Sequence, residues 1–479
     1  MNMRKNSLAS HVLANFGGSV VPLLVSIITI PLYLKAVGTA RYGVLAIVWL
    51  FVGYFSLLDF GISRATTNNI AKLPRDDSAG QLRVLWTALW MNGGMALVAV
   101  MLLLLLGGQG LARIPMDDAA LHRELLAALP WIIALVPMVL ISAILVGALE
   151  AKERFGLVNS QQIVGAVGVQ VAPLVVALYV GADLDLLMGA IFAARFLALV
   201  MLALMVWKCL PVNRICGIDR ATLSQLFRYG SWASVSGFLS PILDALDRFV
   251  IGATVGVVGV AAYNIPFSLV DKIKILPRSI SRAVFPRLSA SGDAEAKDLL
   301  GDLCKVVSTL VGSIAIVGIL SVDRLLTIWI GPALAEASTP IAMILLCGAL
   351  MNAVATLPFA YVHARGLPDL TAKIHLWEVA PFVAVLWLLC QQFGVLGAAM
   401  AWSLRMGVDA ALMCVFSGLP RNAALYISSQ VLISVSLVAW KLFFNPGWQL
   451  TLGIGLVALS GCAALGYDAT RRLVRREAA

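Results

Sequence analysis

The chain has 479 residues, of which 61% are hydrophobic and 13% charged, with a mean hydropathy of +0.93 and a net charge of +10. A water-soluble protein of this size carries far more polar surface, so composition alone excludes that class. In hydrocarbon the backbone must satisfy its own hydrogen bonds, and a helix of about 20 apolar residues does so across one bilayer.

In chain order the apolar runs predict about fourteen spans, at 12–34, 43–65, 85–107, 125–148, 158–180, 185–207, 230–252, 259–281, 306–330, 338–361, 376–393, 396–417, 426–444 and 449–468. The fold class is therefore an all-α integral membrane protein. Arg4 and Lys5 precede the first run, but no small-residue cleavage pattern closes it, so it reads as an uncleaved first helix. With a cytoplasmic N-terminus, the inner connections hold 23 Lys and Arg and the outer ones five, namely Lys35, Arg41, Arg113, Arg123 and Lys441. This asymmetry follows the positive-inside rule, favours an even number of spans and places both termini in the cytoplasm.

Basic inner loops beside anionic lipid account for the positive charge, and no nucleic-acid partner is expected. There is no zinc-type Cys/His spacing, nucleotide-binding loop or recognisable acid/base pair, so neither an enzyme nor a cofactor is expected. The seven cysteines all fall in helices or on the cytoplasmic side, where a structural disulfide is not expected. His11, His122, His363 and His375 form no ligand cluster by spacing and read as individual structural or surface residues.

Val37-Gly38, between spans one and two, has a counterpart in Val255-Gly256, between spans seven and eight, and the same offset of 218 residues carries 12–34 onto 230–252. Two six-helix repeats would then share one orientation, a common transporter plan. The expected division is 1–215 and 216–420 as two pseudo-symmetric six-helix lobes, with 421–479 holding two further helices and a basic tail.

A charged side chain exposed to lipid at mid-depth costs about 3 kcal/mol, so charges inside spans identify positions that face one another or a wet cavity. Asp59 and Arg64 fall in span two, Arg195 in span six, Asp244, Asp247 and Arg248 in span seven, and Asp271, Lys272 and Lys274 in span eight. Glu378 is in span eleven, and Arg405 and Asp409 are in span twelve. The last two share a helix face, as a structural ion pair or as part of a cavity. Asp247 and Arg248 approach the outer end of their helix, where snorkelling is the simpler account. Lys272 and Lys274, two apart, do not share a face. Asp59, Asp244, Asp271 and Glu378 are candidates to bind a coupling proton or sodium ion, with fixed salt bridges the equally simple alternative.

Several short patterns follow one another along the chain: Asn15-Phe16-Gly17 through Pro31-Leu32-Tyr33-Leu34, then Val37-Gly38 with Tyr42-Gly43, and Leu57-Leu58-Asp59-Phe60-Gly61. Asp247-Arg248-Phe249-Val250-Ile251-Gly252, Gly256 and Tyr263-Asn264 come in the second half. In these features and in helix spacing the chain resembles the bacterial polysaccharide exporter family, the O-unit, capsule and exopolysaccharide flippases, over nearly its whole length. These belong to the superfamily of multidrug-and-toxin extruders and the lipid II flippase. The resemblance implies two six-helix lobes around a central cavity, two extra C-terminal helices, and a place in the bacterial inner membrane. It also implies movement of undecaprenyl-diphosphate-linked sugars from the cytoplasmic to the outer leaflet, for O-antigen, capsule or exopolysaccharide.

Membrane lipids and a polysaccharide polymerase or other assembly protein are the further partners expected. A cationic wet cavity would replace part of the diphosphate's hydration with charge-assisted hydrogen bonds. Arg64, Arg195, Arg248, Lys272, Lys274 and Arg405 are the candidates to line it, with Arg64 and Lys272 favoured for its inner half. A multidrug exporter, a lipid II flippase and a nontransporting scaffold are the competing readings. The number of intramembrane basic groups argues against the first.

Overall fold

A computed structural model of the protein describes residues 3–74, 77–112, 119–210, 214–224, 226, 243, 245–444, 450–451, 453–455 and 457–461. Asp244, most of the expected span 230–252 and the end of the last span lie outside these residues. Among the described residues there is no strand, and nine helices are long and apolar enough to cross a membrane. Wherever the fourteen expected spans are described, they are almost wholly helical.

The chain divides into two compact units, Met1–Ala245 with Gly256–Val258, and Leu246–Val255 with Gly259–Ala479. The first contains α1 (Met3–Phe55), a 3-10 turn at Ser56–Asp59, α2 (Ile62–Lys72), α3 (Ser78–Ala112), α4 (Ala119–Ala151), α5 (Phe155–Tyr179) and α6 (Leu184–Cys209). Helix α1 carries the first expected span and the start of the second, which continues through the 3-10 turn into α2, and is broken at Gly38, where φ is 77° and ψ 169°, a conformation open essentially to glycine. Tyr33, Tyr42 and Trp49 close over the break, with ring centroids 5.5 to 6.3 Å apart. The Tyr33 hydroxyl donates to the Gln170 carbonyl of α5 at 2.6 Å, pinning the first arm.

The core of this unit joins α2, α3, α4 and α6 through Ile62, Ala65, Leu85, Ala148, Leu149 and Leu202. Helices α2 and α4 approach closely because Gly147 has no side chain: a Cβ there would stand 2.7 Å from the Ser63 carbonyl oxygen. Thr67 Oγ1 uses the approach to donate to the Gly147 carbonyl at 3.0 Å.

The second unit contains most of α7 (residues 245–254) and of α8 (Val257–Val270), a 3-10 turn at Asp271–Lys274, α9 (Ile275–Ala290) and α10 (Asp293–Ile330). It continues through α11 (Pro332–Ala364), α12 (Pro368–Phe416) and α13 (Arg421–Phe444). Gly256, the counterpart of Gly38 in the sequence repeat, also has positive φ, at 92°. Helix α12 spans two expected crossings and breaks at Gly394, with φ 57° and ψ −134°, into two arms.

Leu300, Cys304, Val307, Val311, Val354 and Leu357 form the core between α10 and α11, joined by Ile427 of α13. At Gly348 in α11 a Cβ would stand 2.5 Å from the Trp402 ring and 2.6 Å from Ser403 Oγ, so the missing side chain seats a fully buried indole. Ser403 Oγ then donates to the Ile344 carbonyl at 2.9 Å.

Candidate functional site

Most of the intramembrane charges gather in the second unit. Asp247 on α7 is wholly buried and accepts hydrogen bonds from the Tyr263 hydroxyl and, at 2.8 Å, from the Arg248 amide. The Arg248 guanidinium lies 3.4 Å from Asp247 Oδ1 and 3.8 Å from the centre of the Phe267 ring. The expectation that this pair snorkels is overturned. Tyr263 and Phe267 stand one turn apart on α8 and supply a donor for the carboxylate and a π-face for the cation, so burial is compensated in place.

Phe267 and Trp402 meet edge to face, with centroids 5.4 Å apart. Lys274 Nζ lies 5.5 Å from the same indole and 2.9 Å from Asp271 Oδ1. Of the two lysines in the 3-10 turn, Lys274 is buried and Lys272 half-buried. The tight turn puts the two on different faces, as their spacing requires.

A second cluster lies between the two arms of α12. Glu378 on the first arm is 4% exposed, and its Oε2 is 3.6 Å from Arg405 Nε on the second. Arg405 also lies over Phe382, 5.2 Å from the ring centre. Asp409, one turn beyond Arg405, has Oδ1 3.5 Å from His375 Nε2. Helical spacing brings Arg405 and Asp409 to one face; the fold adds Glu378 and His375 from the opposite arm. His375 stacks on Phe359 with centroids 6.2 Å apart, and His363 meets the same ring tilted by 30° at 4.2 Å. By sequence spacing both histidines stand as single residues, and their convergence arises only in the fold. The i, i+3 pairing of His375 with Glu378 in an apolar run is the one signal that could have found it.

The first unit treats its charges differently. Asp59 is buried and receives the Ser63 amide at 3.0 Å, the Ser63 hydroxyl at 2.6 Å and Asn92 Nδ2 at 2.7 Å. It caps the start of α2, whose first amides have no helical partner. Arg64 is exposed, acts electrostatically on Glu150 of α4, and does not pair with Asp59. Arg195 is half-buried in α6, and its Nε has no hydrogen-bond partner among the described residues.

Lys441, counted among the outer basic residues, lies in the last turn of α13. It is buried there and donates to the carbonyls of Ile319 and Leu320 and to Asp323 Oδ1 at 2.9 Å. These three acceptors compensate the ammonium group for the water it loses at an internal position. At one end of the first unit Arg41 and Glu124 form a two-point ion pair that joins α1 to α4.

The chain as a whole is similar to known proteins. A Shigella flexneri protein assigned as an O-antigen transporter is 28% identical over 414 residues, covering 86% of this chain and 97% of its own. The lipid II flippase MurJ, in an inward closed conformation, superposes with a TM-score of 0.71 at 14% identity, over 97% of this chain and all of its own. An inward-facing multidrug resistance MATE family transporter of the MOP superfamily gives 0.64 at 14% identity, over 86% and 98%. At these identities the two structures show the fold alone. The description "Polysaccharide biosynthesis protein" matches residues 8–291. With that match covering more than half of a multi-pass helical membrane chain, the protein belongs to the polysaccharide biosynthesis protein family.

Proposed function

We propose that the protein moves undecaprenyl-diphosphate-linked oligosaccharide units from the cytoplasmic to the outer leaflet of the bacterial inner membrane, in O-antigen, capsule or exopolysaccharide biosynthesis. No bond of the cargo is broken. The assigned role of the Shigella flexneri relative and the transporter fold support this reading. In the same reading the lobes are 1–215 and 216–420, residues 421–479 are an addition, both termini are cytoplasmic, and a polymerase or other assembly protein receives the product.

The observation that carries the cargo assignment is a contrast between cations. Arg248, Lys274 and Arg405 each have a carboxylate within 4 Å in the second unit. In the first unit Arg64, which acts on Glu150 without closing to an ion pair, and Arg195 form no ion pair with any described residue, and a cation in or beside hydrocarbon calls for a close anionic partner. A diphosphate supplies one, with oxygens that match the planar guanidinium fork. The coupling residues of this reading are Glu378 first and Asp271 second, since Asp59 is occupied as a helix cap.

Purified protein reconstituted in vesicles tests the assignment. Arg64→Ala is expected to weaken binding of a polyprenyl diphosphate lipid about tenfold or more, matching the ~1.5–3 kcal/mol of a hydrogen bond to a charged group. Arg64→Lys should fall between Ala and the parent. A polyprenyl lipid of equal length without the diphosphate should bind all three alike. Unchanged diphosphate-lipid binding in correctly oriented Arg64→Ala protein would remove this residue from the site.

A further inference from the structure

The cluster between the arms of α12 contains two carboxylates, Glu378 and Asp409, one guanidinium, Arg405, and one imidazole, His375. Arginine stays charged in proteins, so with both acids ionised and the imidazole neutral the cluster carries one net negative charge. Its members are buried or nearly so, and neither Glu378 oxygen accepts a hydrogen bond from any described residue. A carboxylate in that condition is costly, and one added proton makes the group neutral.

Among the described residues, Arg405 and His375 are the cationic groups that stand within 4 Å of these carboxylates. On α11, His363 acts electrostatically on His375 from beside Phe359. Its ring nitrogen is 2.9 Å from Thr371 Oγ1. Beyond Asp409, the thiol of Cys414 feels the carboxylate, with Cys304 of α10 behind it. Lys274 faces Trp402, one turn from Arg405, and is paired with Asp271.

A crevice reaches the cluster. It is lined by Trp377, Pro381, Phe382, Leu404 and Val408 around Glu378 and Arg405. Trp377 and Leu404 are exposed, so the crevice opens on the outer face of α12. Pro381 lacks an amide hydrogen and leaves the Trp377 carbonyl without its helical donor, which gives the apolar wall one polar point. From the other side His375 and His363 lead to the turn at 365–367. Glu378 lies ten residues from the start of α12, about 15 Å along the helix.

We propose that Glu378, Asp409 and His375 together hold a single exchangeable proton in this crevice, with Arg405 as the fixed counter-charge. The proton is shared rather than owned by one residue, because His375 stands 3.5 Å from Asp409 while Arg405, one turn from Asp409, stands 3.6 Å from Glu378. Its loss leaves a net charge in an apolar wall between two arms hinged at a glycine break, so occupancy biases how the arms pack. The use of such a proton in driving transport rests on the flippase reading; the binding of the proton does not.

The test is a proton count on the full-length protein in lipid nanodiscs. Potentiometric titration between about pH 5 and 8, the range in which an imidazole exchanges, is compared for parent and variants. Glu378→Gln removes one negative charge and with it the need for the proton, so the titration should lose about one proton per chain. Asp409→Asn should give the same loss and stands in if Glu378→Gln does not fold. His375→Gln should keep the proton number while slowing exchange after a pH jump. An unchanged count in both folded carboxylate variants overturns the proposal. So does a count that shifts when sodium replaces choline, which would make the occupant a metal cation. Flipping of glycolipid is measured separately, so a protein that binds the proton but moves no cargo contradicts the flippase reading alone.

Discussion

Replacing Tyr263 by phenylalanine removes one oxygen from a wholly buried environment. The Tyr263 hydroxyl donates to Asp247 Oδ2, and the carboxylate is wholly buried, so no water replaces the lost donor. A hydrogen bond to a charged group is worth about 1.5–3 kcal/mol. Asp247 keeps the Arg248 amide and guanidinium on its other oxygen. The phenyl ring left by the substitution should keep the 5.6 Å stacking that Tyr263 makes on Phe267. The expected loss is therefore about 2 kcal/mol.

Asp247→Asn makes the opposite change. It keeps an oxygen for the tyrosine but takes the carboxylate from the Arg248 pair, and breaking a buried pair from one side costs about 3–5 kcal/mol. Denaturant titration in mixed micelles should rank the parent above Tyr263→Phe and Tyr263→Phe above Asp247→Asn. The double variant should depart from additivity, since the two residues share one contact. A Tyr263→Phe protein within about 0.5 kcal/mol of the parent, or one less stable than Asp247→Asn, would refute this account of the cluster.

Asp59→Ala should lower unfolding stability by about 0.5–2 kcal/mol through loss of the α2 cap, and Asp59→Asn, which retains a cap acceptor, should lose less; the same titration measures both. Gly147→Val should cost more than about 3 kcal/mol, above the usual range for overpacking, because its first added atom meets the Ser63 backbone rather than a movable side chain. The yield of monodisperse protein after extraction and its melting temperature report the effect. Gly108→Ala, where a Cβ meets nothing within 4 Å, is the matched control and should leave both unchanged.

Composition settled the environment of this chain, and the bilayer then settled its secondary structure, because hydrocarbon leaves a single spanning segment no alternative to an internally bonded helix. That is why the apolar runs predict the helices so closely, and why Val37-Gly38 marks the break in α1: the conformation there is open to glycine, and the neighbouring aromatics read as its cover. The list of charged residues inside the spans was legible for the same reason, since each stands out from an apolar run. Their partners were not. Helical spacing puts Arg405 and Asp409 on one face, but it says nothing of the face they meet. His375 and Glu378 reach them only because α12 folds back at Gly394. Arg248 is buried only because Tyr263 and Phe267 of another helix receive its pair, and Phe267 is backed by a Trp402 that fits where Gly348 has no side chain. Sequence periodicity records how a helix divides its own surface; which surfaces meet is decided by packing between segments distant in the chain, and the function of a buried charge depends on that meeting.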